Sequence, residues 1–151
     1  MARVDYYGLL ETMRELLDGD PSLGGVHFAI EEEMPAGPDE VPWVGISITG
    51  REAPGDIQRI AAGQRTRFVV TFSLWCWAYD IESKAAAIRN RDDLLGRVEI
   101  ALMRPDVRTL RDQVDFGYIE GGSLTTGTPE QGVGFFSGGE IVFKAEVDAT
   151  T

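Results

Sequence analysis

The sequence predicts an α+β domain: a single mixed or antiparallel β-sheet with two helices packed on it, in the order α-β-β-β-α-β-β. Three observations carry that expectation. Val4–Asp18 and Ile81–Met103 repeat apolar residues at helical spacing. Three segments between them alternate with a period of two. From Val114 onward the chain alternates again and is too rich in glycine for a helix. At 151 residues it is read as one domain, residues 1–151. A chain of that size buries roughly 70% of its unfolded surface and needs no disulfide or metal to hold it.

The first helix sets Tyr6, Leu9, Leu10, Met13, Leu16 and Leu17 on one stripe and ends at Gly19 and Pro21. Gly25–Glu33 reads as a strand, with Val26, Phe28 and Ile30 on one side. A proline-rich link, Met34–Pro42, leads to a second strand, Trp43–Thr49. Gly50–Gln64 reads as a long loop, a kind that is usually functional or mobile. The third strand, RTRFVVTFSLWCWAYD, spans Arg65–Asp80. Phe68, Val70, Phe72, Leu74, Cys76 and Ala78 line one face, and Val69, Thr71, Ser73, Trp75, Trp77 and Tyr79 line the other. From Arg67 to Tyr79 it reaches about 43 Å at ~3.3 Å per residue, against ~30 Å across a domain of this size. Part of it is therefore expected to project, bend or pair outside its own core.

Asp80 is the expected N-cap of the second helix. Ile81, Ala85, Ile88, Leu95, Val98 and Leu102 form its expected buried stripe, and Pro105 its stop. Arg89, Asn90, Arg91, Asp93 and Arg97 are expected on the solvated side. Val114, Phe116 and Tyr118 alternate as a strand, and Phe135 and Phe136 interrupt a glycine-rich hairpin or arm. Glu140–Val147 is the final strand, with a frayed tail from Asp148 to Thr151.

With 14 basic against 25 acidic residues, the formal charge is −11. An acidic chain makes a poor partner for phosphate backbones, whose binding rests on lysine and arginine displacing counterions. Arg89, Arg91 and Arg97 are diluted by Glu82, Asp92, Asp93 and Glu99. No apolar run approaches the ~20 residues of a membrane span, and the acidic N-terminus does not resemble a signal peptide. A soluble, cytoplasmic product is the expectation. Cys76, the lone cysteine, sits between two tryptophans and reads as a packing residue.

No catalytic, metal or cofactor residues are assigned. His27 is the single histidine and has no nucleophile at catalytic spacing. Glu31 and Glu33 share one side of the first strand and Glu32 does not, which reads as a solvated strand end. No phosphate-binding glycine motif is present. An apolar surplus with no catalytic constellation points to assembly. The contact candidates are Trp75, Trp77 and Tyr79 on the second face of the long strand, with Phe135 and Phe136.

The layout then resembles a known family. A short N-terminal helix, three strands with a long third one, the helix RNRDDLLGRVEIALMRPDV, a glycine-rich region and a closing amphipathic strand are similar to the tail-terminator proteins of long-tailed bacteriophages and related phage-like particles. The resemblance implies a non-catalytic α+β subunit without cofactors, located in the virion after assembly in the host cytoplasm. It implies a homo-oligomeric ring, typically a hexamer, that caps the phage tail-tube protein and joins it to the neck, stopper or connector protein. Six copies at −11 each carry −66, so DNA is expected to pass the lumen without specific binding. A lumen lined by Arg51, Arg59, Arg65 and Arg67 would contradict that. The alternatives are a head-completion (stopper) or other neck or tail subunit, a small-molecule-binding or hydrolytic α+β protein using His27 with Glu31 or Glu33, and a bacterial adaptor unrelated to phage.

Overall fold

The computed structural model describes residues 4–52, 65–127 and 132–150. It is an α+β fold with one mixed six-stranded sheet. In chain order the elements are α1 (Tyr6–Asp18), β1 (His27–Ile30), β2 (Trp43–Glu52), β3 (Arg65–Asp80), α2 (Lys84–Leu102), α3 (Pro105–Arg108), β4 (Phe116–Gly121), β5 (Leu124–Gly127) and β6 (Phe135–Thr150). The sheet runs β1-β2-β3-β6-β4, and β5 pairs with β6 beyond the end of β4. β1 lies parallel to β2, and every other pairing is antiparallel.

The expected α1 stripe is the one that packs. Leu9, Leu10, Met13, Leu16 and Leu17 are buried, and Asp5 caps the helix by accepting from the Gly8 N–H at 3.0 Å. α1 packs on β1 and β2, and α2 on β3 and β6. Both helices therefore cover the same face of the sheet. That face carries the set assigned to β3 from its alternation: Val70, Phe72, Leu74, Cys76 and Ala78 are all buried. Phe72 meets Phe143 of β6 edge to face at 6.0 Å between ring centres.

Several boundaries differ from the sequence reading, each for a local reason. β1 stops at Ile30 because Glu31 turns left-handed (φ 61°), so the Glu31–Glu33 run does not alternate as a strand end. α2 is capped by Ser83, which accepts from the Ala86 N–H, while Asp80 caps the turn before it by accepting from the Glu82 and Ser83 N–H groups. That later start exposes Ile81 and Ala85, and Ala87 takes the core position. Arg91 is buried, not solvated; its stem lies on the helix face shared with Ala87, Leu94 and Leu95, and its guanidinium donates to Asp92 Oδ1 at 3.0 and 2.9 Å. Pro105 opens α3 at its first turn, a position where its missing N–H costs nothing.

The third strand does not project alone: β2 pairs with it from Val69 to Trp77 and β6 along its whole length. Every residue from Arg65 to Asp80 is paired with β6, in register from Thr150 back to Phe135. Two further corrections follow from that register. Phe135 and Phe136 begin a strand instead of sitting in a glycine-rich arm, and the tail is paired as far as Thr150 instead of frayed. The glycine-rich span also supplies β5, opposite Phe136–Gly139. Most of the Gly50–Gln64 loop and Thr151 lie outside the described residues.

Asp20 locks the helical layer at one corner. It is buried, accepts from the Ser22 N–H and hydroxyl at 2.9 and 2.7 Å, and pairs with Arg104 at 2.8 Å. The Ser22 hydrogen bonds, with Arg104 beside them, hold its carboxyl below the usual carboxylate range. A lowered folded pKa contributes stability that is complete above the ordinary carboxylate range and is lost as pH falls through the lowered value. Asp20→Ala is therefore expected to cost about 2 kcal/mol at neutral pH. Urea titrations at several pH values should show the gap from wild type narrowing below about pH 4. A gap that stays constant down to about pH 2 would show that the carboxylate charge contributes nothing.

Candidate assembly surface

Because α1 and α2 lie on one side, the other side of the sheet is covered by no helix among the described residues. Along β3 that outer face presents Val69, Thr71, Ser73, Trp75, Trp77 and Tyr79. The β6 partners in register are Glu146, Lys144, Val142, Glu140, Gly138 and Phe136. β4 adds Phe116 and Tyr118 opposite Glu146 and Lys144.

One end of this face is roofed by the chain itself. β1 and β2 are parallel, so the link 31–42 between them has to cross the sheet rather than turn back in a hairpin. It crosses on the outer side. Glu32 O lies where a Cβ on Gly45 would stand, at 1.9 Å, so only glycine admits the link that close. Trp77 Nε1 donates to Glu33 O at 2.7 Å. Trp43, in register with Trp77, is buried under the same roof.

The five aromatic contact candidates are thus placed differently. Trp77 is only 7% exposed, so its own chain shelters it and the expectation of an open Trp77 is corrected. It packs edge to face on Phe136 at 6.4 Å and stacks on Trp75 at 5.8 Å. Trp75, Tyr79, Phe135 and Phe136 are half-buried. Tyr79 lies 5.0 Å from Phe136 and donates its hydroxyl proton to Val133 O. The structure brings Trp75, Trp77, Phe136 and Tyr79 into one aromatic ridge. Phe135 alternates to the opposite side of β6 from Phe136 and is not part of it.

Sequence reading missed a second aromatic pair. Phe116 and Tyr118 stack at 6.1 Å and remain 42% and 37% exposed. Arg108 sits 4.4 Å over the Phe116 ring. The signal was Gly117 between them. A Cβ there would lie 2.2 Å from Phe143 Cζ, so the glycine faces the core and both rings face out. The expected alternation of Val114, Phe116 and Tyr118 does not run along one strand face, because Val114 precedes β4 and is buried while Phe116 and Tyr118 are exposed.

The outer face is electrostatically mixed. Lys144 pairs with Glu120 at 3.2 Å, which raises the lysine pKa, chiefly through the hydrogen bond. Arg67 contacts Asp148 at 3.2 Å, Asp115 at 3.7 Å and Glu146 at 4.0 Å. Ser73 donates to Glu140 at 2.5 Å.

No other chemistry gathers here. His27 is exposed at the start of β1 and lines neither the 190 Å³ cavity beside Tyr79 and Asn90 nor the 220 Å³ cavity between α2 and the β4–β5 break. Glu31 Oε1 accepts from the Ile48 N–H at 3.3 Å, and Glu33 contributes its carbonyl to Trp77. Among the described residues no group of three or more metal-ligating side chains converges. Burial pushes the Cys76 thiol far up, with Glu99 adding to the shift, so it remains a protonated packing residue. No helix among the described residues is long and apolar enough to cross a membrane.

Fold and surface together define a class: an α+β domain with one helix-covered sheet face and one partly open aromatic face. No protein-family model matches the chain, and no curated protein matches it.

Proposed function

We propose that this chain is a structural, non-catalytic virion subunit. It forms a ring, hexameric in the leading reading, that caps the tail tube of a long-tailed phage or related particle and joins it to the neck. The observation that carries the reading is the outer sheet face. Trp75, Tyr79, Phe116 and Tyr118 remain partly accessible there, on a central strand paired with β6 along its length and on β4 at the edge of the sheet. Aromatic residues on a rigid sheet are the usual anchors of protein contacts. Heterologous ring contacts need one patch on each subunit to meet a different patch on the next.

Charge supports free passage of DNA. Two of the arginines that would grip it are engaged within the chain: Arg67 by three carboxylates, and Arg51 by Tyr6 and Phe68, whose ring centres lie 5.6 and 5.4 Å from its guanidinium carbon. Arg59 lies outside the described residues.

Electron microscopy of particles assembled without this protein tests the role. Overlong tails, or tails that fail to join heads, are the expected result. Normal tails of normal length joined to heads would end this reading.

A further inference from the structure

We propose that the cleft between α2 and the β4–β5 break receives an arginine side chain from an extended segment of a partner protein lying along that edge of the sheet. The cleft holds 220 Å³, its walls are Leu95, Ile119, Leu124 and Ile141, and Glu99 of α2 stands beside them. The break keeps it open. Gly121 and Gly122 carry the chain from β4 to β5 at φ 143° and 157°, and neither has a side chain to fill the space. A Cβ on Gly122 would overlap Glu140 O, so only glycine lets the two short strands follow one another along β6. Leu95 and Leu124 both lie against Gly139 of β6, yet Leu124 remains 63% exposed.

Size and chemistry select the occupant. The cleft falls below the about 300–1,000 Å³ of pockets for drug-sized ligands and suits one long side chain. Its walls are apolar, and its two ionisable residues, Glu99 and Glu140, are both acidic. Neither makes an ion pair among the described residues, and Ser73 holds one oxygen of Glu140 at 2.5 Å. Arg97 on α2 is already paired with Asp93, and Lys144 on β6 with Glu120. An arginine answers both features. Its stem covers apolar surface while its head stays at a carboxylate, and its planar guanidinium meets a carboxylate through two parallel hydrogen bonds.

The sheet edge determines how that side chain is presented. Among the described residues no strand lies beyond β4 or β5. An extended segment adds to such an edge through main-chain hydrogen bonds, and pockets for its alternate side chains give specificity. Every second side chain of the added strand points to the helix side of the sheet, where the cleft lies. The formal charge of −11 draws a basic segment toward this chain. The aromatic ridge lies on the opposite face, so this docking does not rest on the ring reading.

NMR titration of the isotope-labelled full chain tests it. The probe is a capped peptide, acetyl-Thr-Val-Arg-Val-Thr-amide. Its controls are a twin with citrulline, similar in shape but uncharged, and n-butylguanidine as a free cation. The arginine peptide should bind saturably with a Kd below about 1 mM and shift the amide signals of Glu99, Ile119, Gly121 and Leu124. The citrulline peptide should bind at least about threefold more weakly at about 50 mM salt. In Glu99→Gln the two peptides should bind alike, because the contact between Glu99 and the guanidinium carries their difference. Leu124→Ala should weaken both peptides about threefold. Glu99 and Leu124 are exposed, so both variants should keep wild-type circular dichroism. No saturable binding, shifts confined to residues away from the cleft, or an arginine preference that survives Glu99→Gln overturns the proposal. Binding of n-butylguanidine as tight as that of the peptide also overturns it, since the cleft would then take a free cation and not a protein segment. None of these outcomes alters the particle test of the ring reading.

Discussion

Phe143→Ala is expected to lower stability by about 4 kcal/mol, among the largest losses a single side chain of this protein can produce. Phe143 is fully buried in the middle of β6 and meets Phe72 of β3 edge to face at 6.0 Å. Gly117 of β4 lies against its ring, so the cavity left by truncation would open toward three strands at once. Backbone paired on both sides resists collapse into that space, which places the cost in the upper half of the Phe→Ala range. Domains of this kind have only about 5–15 kcal/mol in total. Urea unfolding followed by far-UV circular dichroism should show the midpoint falling by about 2 M at a typical slope. A loss under about 1.5 kcal/mol would mean that the strands close around the gap and the core is looser than its burial implies.

Trp77→Ala and Trp75→Ala should part widely, although the two residues are neighbours on one face of one strand. Trp77 loses a buried ring, a hydrogen bond to Glu33 O and its edge contact with Phe136, a cost of about 4 kcal/mol. Trp75 is half-buried and loses chiefly its stacking on Trp77, a cost of about 1 kcal/mol. The same urea measurement, made at low concentration to avoid assembly, reads both. If the open ridge serves subunit contact, Trp75→Ala should also reduce incorporation into particles while the isolated chain remains folded. Equal stability losses at the two positions would mean that the link 31–42 does not roof Trp77 as described.

The contrast between these tryptophans shows how far the sequence carried. Alternation along Arg65–Asp80 was enough to separate the core set, Phe68 to Ala78, from the outer set, Val69 to Tyr79, because side chains on a strand must alternate. The α1 stripe and the second half of the α2 stripe, Leu95, Val98 and Leu102, were legible for the same kind of reason. What covers the outer set was not legible. The roof over Trp77 arises because β1 and β2 pair in parallel, and that pairing is a long-range choice with no local signature in MPAGPDEVP.

The glycine-rich region makes the same point from the other direction. Local propensity argued against strands there, since glycine loses more freedom on ordering than any other residue. Yet Phe135–Gly139 is strand, because the first half of a sixteen-residue β6 completes the pairing of a sixteen-residue β3. Gly138 and Gly139 face Trp77 and Leu95, at points where a Cβ would come within 2.7 Å of either side chain. Period and composition, which act between neighbours in the chain, determined the class of fold and the identity of the core. Strand partners, the crossing of the link and the burial of Arg91 depend on contacts between distant segments, and only the tertiary structure decided them.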